Sequence, residues 1–146
     1  IDVVQLHGDE PMEVAAALAG ARGLRVVRAI KLPVGPLVPA NIETAARPWI
    51  DLGCHPLLDA DAGAAHGGSG KTLDWISIRS WSDAHGQTAF TLAGGLNPGN
   101  VAAAIRQSGA NSVDTASGVE QPRGEKQHDL IDAFVRACRA AGLASD

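Results

Sequence analysis

The chain has 146 residues with 45% hydrophobic and 19% charged side chains, enough apolar material for one domain over residues 1–146 with a real core. A net charge of -4 argues against a general nucleic-acid surface or an acidic-membrane surface, and no apolar run approaches the roughly 18 residues of a membrane span. Cys54 and Cys138 have no paired-motif spacing, which excludes a disulfide framework and points to a reducing, cytoplasmic setting.

Short apolar runs alternate with helical segments along the chain, the pattern of a parallel α/β sheet. The first strand is expected at Val3-Leu6, with Gln5-Leu6-His7-Gly8 at its carboxyl end. Asp9-Glu10-Pro11 offers an N-cap and a first-turn proline for a helix with Val14, Ala15 and Leu18 on one face, ended by Gly20 and Gly23. A second strand spans Leu24-Ile30. The stretch from Leu32 to Ile50 holds Pro33, Pro36, Pro39 and Pro48 and supports at most one short helix around Ile42.

A third strand, Leu57-Asp59, runs into a glycine-rich loop containing GGSGKT. A P-loop needs glycine five positions before the Gly of Gly-Lys-Thr, and Ala65 stands there; Leu73-Asp74-Trp75 is also a weak start for the long helix a P-loop requires. The loop therefore has another task. Ala89-Leu92 and Ser112-Thr115 are the fourth and fifth strands. Between them Asn97-Pro98 caps and opens a helix that turns Val101, Ala104 and Ile105 inward and stops at Gly109. The last helix carries Leu130, Ile131, Phe134, Val135 and Cys138 at helical spacing for packing on the sheet.

Chemistry in such a sheet gathers at the carboxyl ends of the strands, where the strand-to-helix loops emerge. These ends bring His7, Asp59, Gly94-Gly95, Asp114 and Ser117-Gly118 to one rim. Gly94, Gly95, Ser117 and Gly118 outline a phosphate site, because glycines let an anion approach the main chain and a serine hydroxyl donates to it. Barrels of eight strands commonly bind phosphate after the last two, which fits if these five are the last five of eight. His55, His66, His85 and His128 lack ligand spacing, so no metal site is expected, and Trp49, Trp75 and Trp81 read as packing residues. Arg123 and Lys126 read as a solvated face.

VVQLHGDE, LLDADAGAAHGGSGKTLDW, TLAGGLNPGNV and SVDTASGVE, in this order and spacing, resemble the successive signatures of the phosphoribosylanthranilate isomerase family of tryptophan biosynthesis, and they cover nearly the whole chain. The resemblance implies a (β/α)8 barrel that rearranges N-(5-phosphoribosyl)anthranilate to 1-(2-carboxyphenylamino)-1-deoxyribulose 5-phosphate without metal or cofactor. It implies Asp59 as the general acid, Gly94, Gly95, Ser117 and Gly118 as the phosphate site, and His7 and Asp114 as pocket residues. It also implies a general base in a Lys-Ile-Cys-Gly motif on the first barrel strand and an upstream arginine for the anthranilate carboxylate. Neither is found here, so this chain reads as strands 4 to 8 of the barrel, inactive by itself, and open to an N-terminal barrel fragment or to self-association. A phosphate-binding partial barrel without catalysis is the alternative function.

Overall fold

The computed structural model describes residues 1–61 and 72–143; the Gly67–Lys71 part of the GGSGKT motif lies outside them. Among the described residues the chain runs β1 (Val3–Leu6), α1 (Met12–Arg22), β2 (Arg25–Pro33), α2 (Pro39–Asp51), β3 (His55–Asp61), α3 (Trp75–Ala84), β4 (Thr91–Leu92), α4 (Val101–Ser108), β5 (Ser112–Val113), a 3-10 turn (Ser117–Val119) and α5 (His128–Ala140). The strands form one parallel sheet in the order β1-β2-β3-β4-β5, so each helical crossover returns the chain to the adjacent position. β1 and β5 are its two edges.

Alternation along the strands assigns the faces. Ile30, Leu32, Leu58 and Leu92 pack outward against Ile42 and Ala46 of α2, Ile78 and Trp81 of α3, Val101 and Ala104 of α4, and Phe134 of α5. A second outward cluster joins Leu6, Ala15, Val26 and Cys54. The opposite face is lined in its middle by the small set Ala29, Leu57 and Ala93, with Val27 beside them. Below that set His55 Nε2 lies 2.9 Å from Thr91 Oγ1, which lies 2.6 Å from Ser112 Oγ, a polar line across three strands at their amino ends.

The helices correct four expectations, and the strands and the start of α3 correct others. α2 extends over 13 residues instead of one short turn: Pro39 sits in its first turn, where no N–H is needed, and Pro48 is carried inside because Ile42 and Ala46 bury the helix fully on that face. Asp9 does not cap α1; Pro11 occupies the N-cap position, and Gly20 lies within the helix, which ends at Gly23 in a left-handed conformation. α4 begins at Val101 with Asn100 at its N-cap, one turn later than Asn97-Pro98 indicated. On α5, Phe134 is buried and Leu130 and Cys138 pack on the core, whereas Ile131 and Val135 remain exposed.

β2 and β3 reach further than expected and β4 and β5 are shorter, two residues each. Leu73-Asp74-Trp75 does start a helix, since the Asp74 carboxylate accepts from the backbone N–H and hydroxyl of Ser77. The same carboxylate accepts from Leu37 N, tying the loop before α2 to α3. Those hydrogen bonds, Ser77 first, hold Asp74 below the usual carboxylate range.

Ile42 has no exposed surface and lies where α2 meets the sheet. Ile42→Ala should therefore cost about 2–5 kcal/mol of stability, read as a lowered urea midpoint with unchanged slope.

Candidate active site

The inward positions at the carboxyl ends of the strands gather a set of ionisable groups. β1 ends at Leu6 and places His7 on the inner side; Lys31 and Asp59 are register partners on β2 and β3; Asp114 follows β5, its N–H bonded to Leu92 O on β4. His7 Nε2 stands 3.6 Å from Asp59 Oδ2, an ion-pair distance longer than a hydrogen bond. The Gln5 amide nitrogen lies 3.3 Å from His7 Nδ1 and can only donate, so in the neutral ring the proton resides on Nε2, facing Asp59.

Asp59 is the least solvated of these groups, with 23% of its side chain exposed. Burial raises its pKa above the ordinary carboxylate value, and the negative charge of Asp114 acts in the same sense. His7, the Ala60 amide and Lys31 oppose the rise without cancelling it. A carboxylic acid so placed keeps its proton nearer to neutrality and can deliver it to a bound molecule.

The next two turns supply the glycines. Gly94 has φ 83°, and a Cβ there would stand 2.4 Å from the backbone N of Ala60, so this turn closes directly on β3. A Cβ at Gly118 would stand 1.8 Å from Leu96 O, which also accepts from Thr115 Oγ1 at 2.7 Å. The turns after β4 and β5 are thus locked backbone to backbone, a reason for glycine at Gly94 and Gly118 that the sequence did not disclose. Gly95 also has a positive φ, 69°, and its carbonyl accepts from Asn100 Nδ2 at 3.0 Å. Ser117 opens the 3-10 turn after β5. The glycine turns and Ser117 therefore follow the carboxyl ends of the strands.

Sequence reasoning missed the residues that hold these turns. Lys126, read as solvated, donates to Ala116 O at 2.6 Å and to Glu120 Oε1 at 2.7 Å, bracing the Ser117 turn from outside. Glu10 accepts from Gly8 N and pairs with Arg28 on β2 instead of serving α1. Only the alternation of β2 hinted at Arg28, a lone cation at an outward position. Cys54 precedes β3 at the end opposite Asp59, is buried, and burial pushes its thiol pKa up; the same cause raises Cys138 on α5. Trp81 is fully buried and donates to Glu43 Oε2 at 2.7 Å. Among the described residues no three His, Cys, Asp or Glu side chains come together as metal ligands. No helix of the described residues is long and apolar enough to cross a membrane.

A parallel α/β sheet in which successive strands are neighbours, with polar groups at the strands' carboxyl rim, is the architecture of α/β-barrel proteins. The chain belongs to the N-(5'phosphoribosyl)anthranilate (PRA) isomerase family, whose profile matches residues 1–137. It is 43% identical over 143 residues to the N-(5'-phosphoribosyl)anthranilate isomerase of Rhodopseudomonas palustris (strain BisB5), covering 96% of this chain and 62% of that protein. It is 41% identical to the isomerase of Halobacterium salinarum (strain ATCC 29341 / DSM 671 / R1), covering 95% and 61%. The crystal structure of phosphoribosyl anthranilate isomerase from Thermotoga maritima superimposes with a TM-score of 0.77 at 32% identity, covering 96% of this chain and 62% of that one. A phosphoribosyl anthranilate isomerase in complex with reduced 1-(o-carboxyphenylamino)-1-deoxyribulose 5-phosphate superimposes at 0.72, with 30% identity and coverage of 96% and 60%. This chain spans about three fifths of the length of these relatives.

Proposed function

We propose that the chain supplies the acid and the phosphate site of an isomerase that converts N-(5-phosphoribosyl)anthranilate to 1-(2-carboxyphenylamino)-1-deoxyribulose 5-phosphate. The observation that carries this reading is Asp59: a carboxyl group at a strand end, largely shielded from water, with a raised pKa and His7 beside it. In the proposed step the Asp59 proton passes to the ring oxygen of the furanose as the C1–O bond breaks and the anthranilate nitrogen's lone pair forms C1=N. Removal of the proton from C2 then gives the enolamine, which tautomerises to the ketone. Gly94, Gly95, Ser117 and Gly118 hold the phosphate, and His7 and Asp114 line the pocket between it and the acid.

In the same reading residues 1–146 correspond to strands 4 to 8 of the barrel, the reaction is cytoplasmic, and the base that takes the C2 proton comes from a Lys-Ile-Cys-Gly segment that residues 1–146 do not contain. Cys54 cannot replace it from the far end of β3. The test is turnover of N-(5-phosphoribosyl)anthranilate by this chain combined with the first three strand-helix units of a relative. Turnover supports the isomerase. Binding of the reduced product analogue with no turnover in the combined protein, whose base is then present, would favour a phosphate-binding partial barrel instead.

The phosphate part is tested on the chain itself. Ser117→Ala should weaken the reduced product analogue by about 1.5–3 kcal/mol, one hydrogen bond to an anion. Gly95→Val should weaken it further, because a β-branched residue at φ 69° is strained and obstructs the main chain. Isothermal titration decides, and unchanged affinity in both variants moves the phosphate elsewhere.

A further inference from the structure

We infer that Arg28 is a positioning residue: it fixes the turn after β1 and so sets where His7 stands against Asp59. The inference rests on the proposed role of Asp59 for its catalytic meaning, while its geometry stands separately. β1 pairs with β2 only from Val3–Arg25 to Leu6–Arg28, so no ladder hydrogen bond holds the chain beyond Leu6, and His7 is the next residue. The Arg28 side chain takes over at that point. Its Nη2 donates to Gly8 O at 2.9 Å and its Nη1 to Glu10 Oε2 at 2.7 Å, and the same carboxylate oxygen accepts from Gly8 N at 2.9 Å. Both backbone groups of Gly8 are therefore tied to one ion pair.

The guanidinium is itself held. It lies over the ring of Trp49 on α2, 4.3 Å from the centroid, and only 12% of the side chain is exposed. Its Nε is buried with no hydrogen-bond partner. Burying a cation at this cost gains little for packing, since an apolar side chain would fill the space against Trp49. What an apolar side chain cannot do is bond a carbonyl and a carboxylate at once. The planar fork of arginine does so through two separate nitrogens while lying over the Trp49 ring, whereas a lysine ammonium, which bonds such a pair at Lys126 from one atom, has no flat face to lay on that ring. Glu10 completes the clamp in its charged form: the backbone amides of Glu10 and Gly8 and the Arg28 guanidinium keep its carboxyl below the usual range. Beyond the end of β1 this leaves a cavity of about 190 Å³, walled by His7 and Gly8 on one side and by Arg28, Lys31 and Trp49 on the other.

The experiment reads the His7 imidazole by nuclear magnetic resonance in the 146-residue chain. Asp59→Asn should displace the His7 ring signals, because the two side chains face each other. In an Arg28→Met background that displacement should be lost, and Arg28→Lys should not restore it. Glu10→Gln, which keeps an acceptor for Gly8 N but removes the charge opposite Arg28, should reduce it. In the combined barrel, Arg28→Met should lower kcat and leave affinity for the product analogue close to that of the parent, since the phosphate turns lie on β4 and β5. If Arg28→Met does not fold, Glu10→Gln decides. An undiminished His7 response in either variant, with only a lower melting temperature, overturns the positioning role, as does a parent chain whose His7 ignores Asp59→Asn. Should Asp59→Asn instead leave turnover intact while the His7 response depends on Arg28, the acid assignment fails and the positioning role stands.

Discussion

Asp59→Asn should reduce isomerisation in the combined barrel by on the order of 10²–10⁴-fold, the contribution of one general acid, with the loss in kcat. The amide is nearly isosteric but has no proton of suitable acidity for the ring oxygen. Product-analogue affinity should change little, because the proposed phosphate turns follow β4 and β5 and not β3. The same substitution should raise stability at neutral pH. The folded-state pKa of Asp59 lies above its unfolded value, mainly through burial, so between the two values the folded chain holds a proton that the unfolded chain has lost. Stability contributed at this residue is thus present at low pH and declines as pH rises through that window. Asparagine carries no charge to desolvate, so the variant should melt higher than the parent above the window, and the two should converge below it. Near-normal turnover would remove Asp59 from the mechanism; a variant less stable than the parent at neutral pH would contradict the burial argument.

The chain by itself should show no measurable isomerisation and should self-associate. Five parallel strands leave β1 and β5 as open edges, and each offers a row of N–H and C=O groups to any extended segment. Val3 on the β1 edge is 40% exposed, and Ile131 and Val135, one helical turn apart on α5, are 36% and 38% exposed. A complementary piece with three strand-helix units would pair with both edges and bring the Lys-Ile-Cys-Gly cysteine to the rim that holds Asp59. Mixing the two should convert the associated species into a one-to-one complex and give turnover. Sedimentation and a fluorescence assay of substrate consumption check both halves. A monomer that turns over substrate unaided would mean the base lies within these 146 residues, and His7 would be the first to substitute.

The sequence by itself determined the class of fold and the rim on which its polar groups meet. Strand runs such as Val3–Leu6 recur at intervals filled by helices, and in a parallel sheet that repetition forces every strand-to-helix turn to one end. The pattern of strands and turns alone therefore brings His7, Asp59, Gly95, Asp114 and Ser117 to one end of the sheet. The four motifs added the family, because their residue types and spacing together are specific where each alone is not. Helix limits were less legible. Proline content argued against α2, yet burial of Ile42 and Ala46 outweighed it, a tertiary gain that no local propensity contains. Ile131 and Val135 have the spacing of a buried stripe and are exposed, because spacing fixes which residues share a face and not what lies opposite. Only the tertiary structure decided why Gly94 and Gly118 lack side chains, since the atoms they avoid, Ala60 N on β3 and Leu96 O in the turn after β4, are brought there by the fold. It alone showed Arg28 and Lys126 reaching across to the Gly8 and Ala116 carbonyls. A local pattern records what a residue's chain neighbours require; long side chains that brace a distant backbone group leave no period in the sequence, and their partners are set only when the strands are laid side by side.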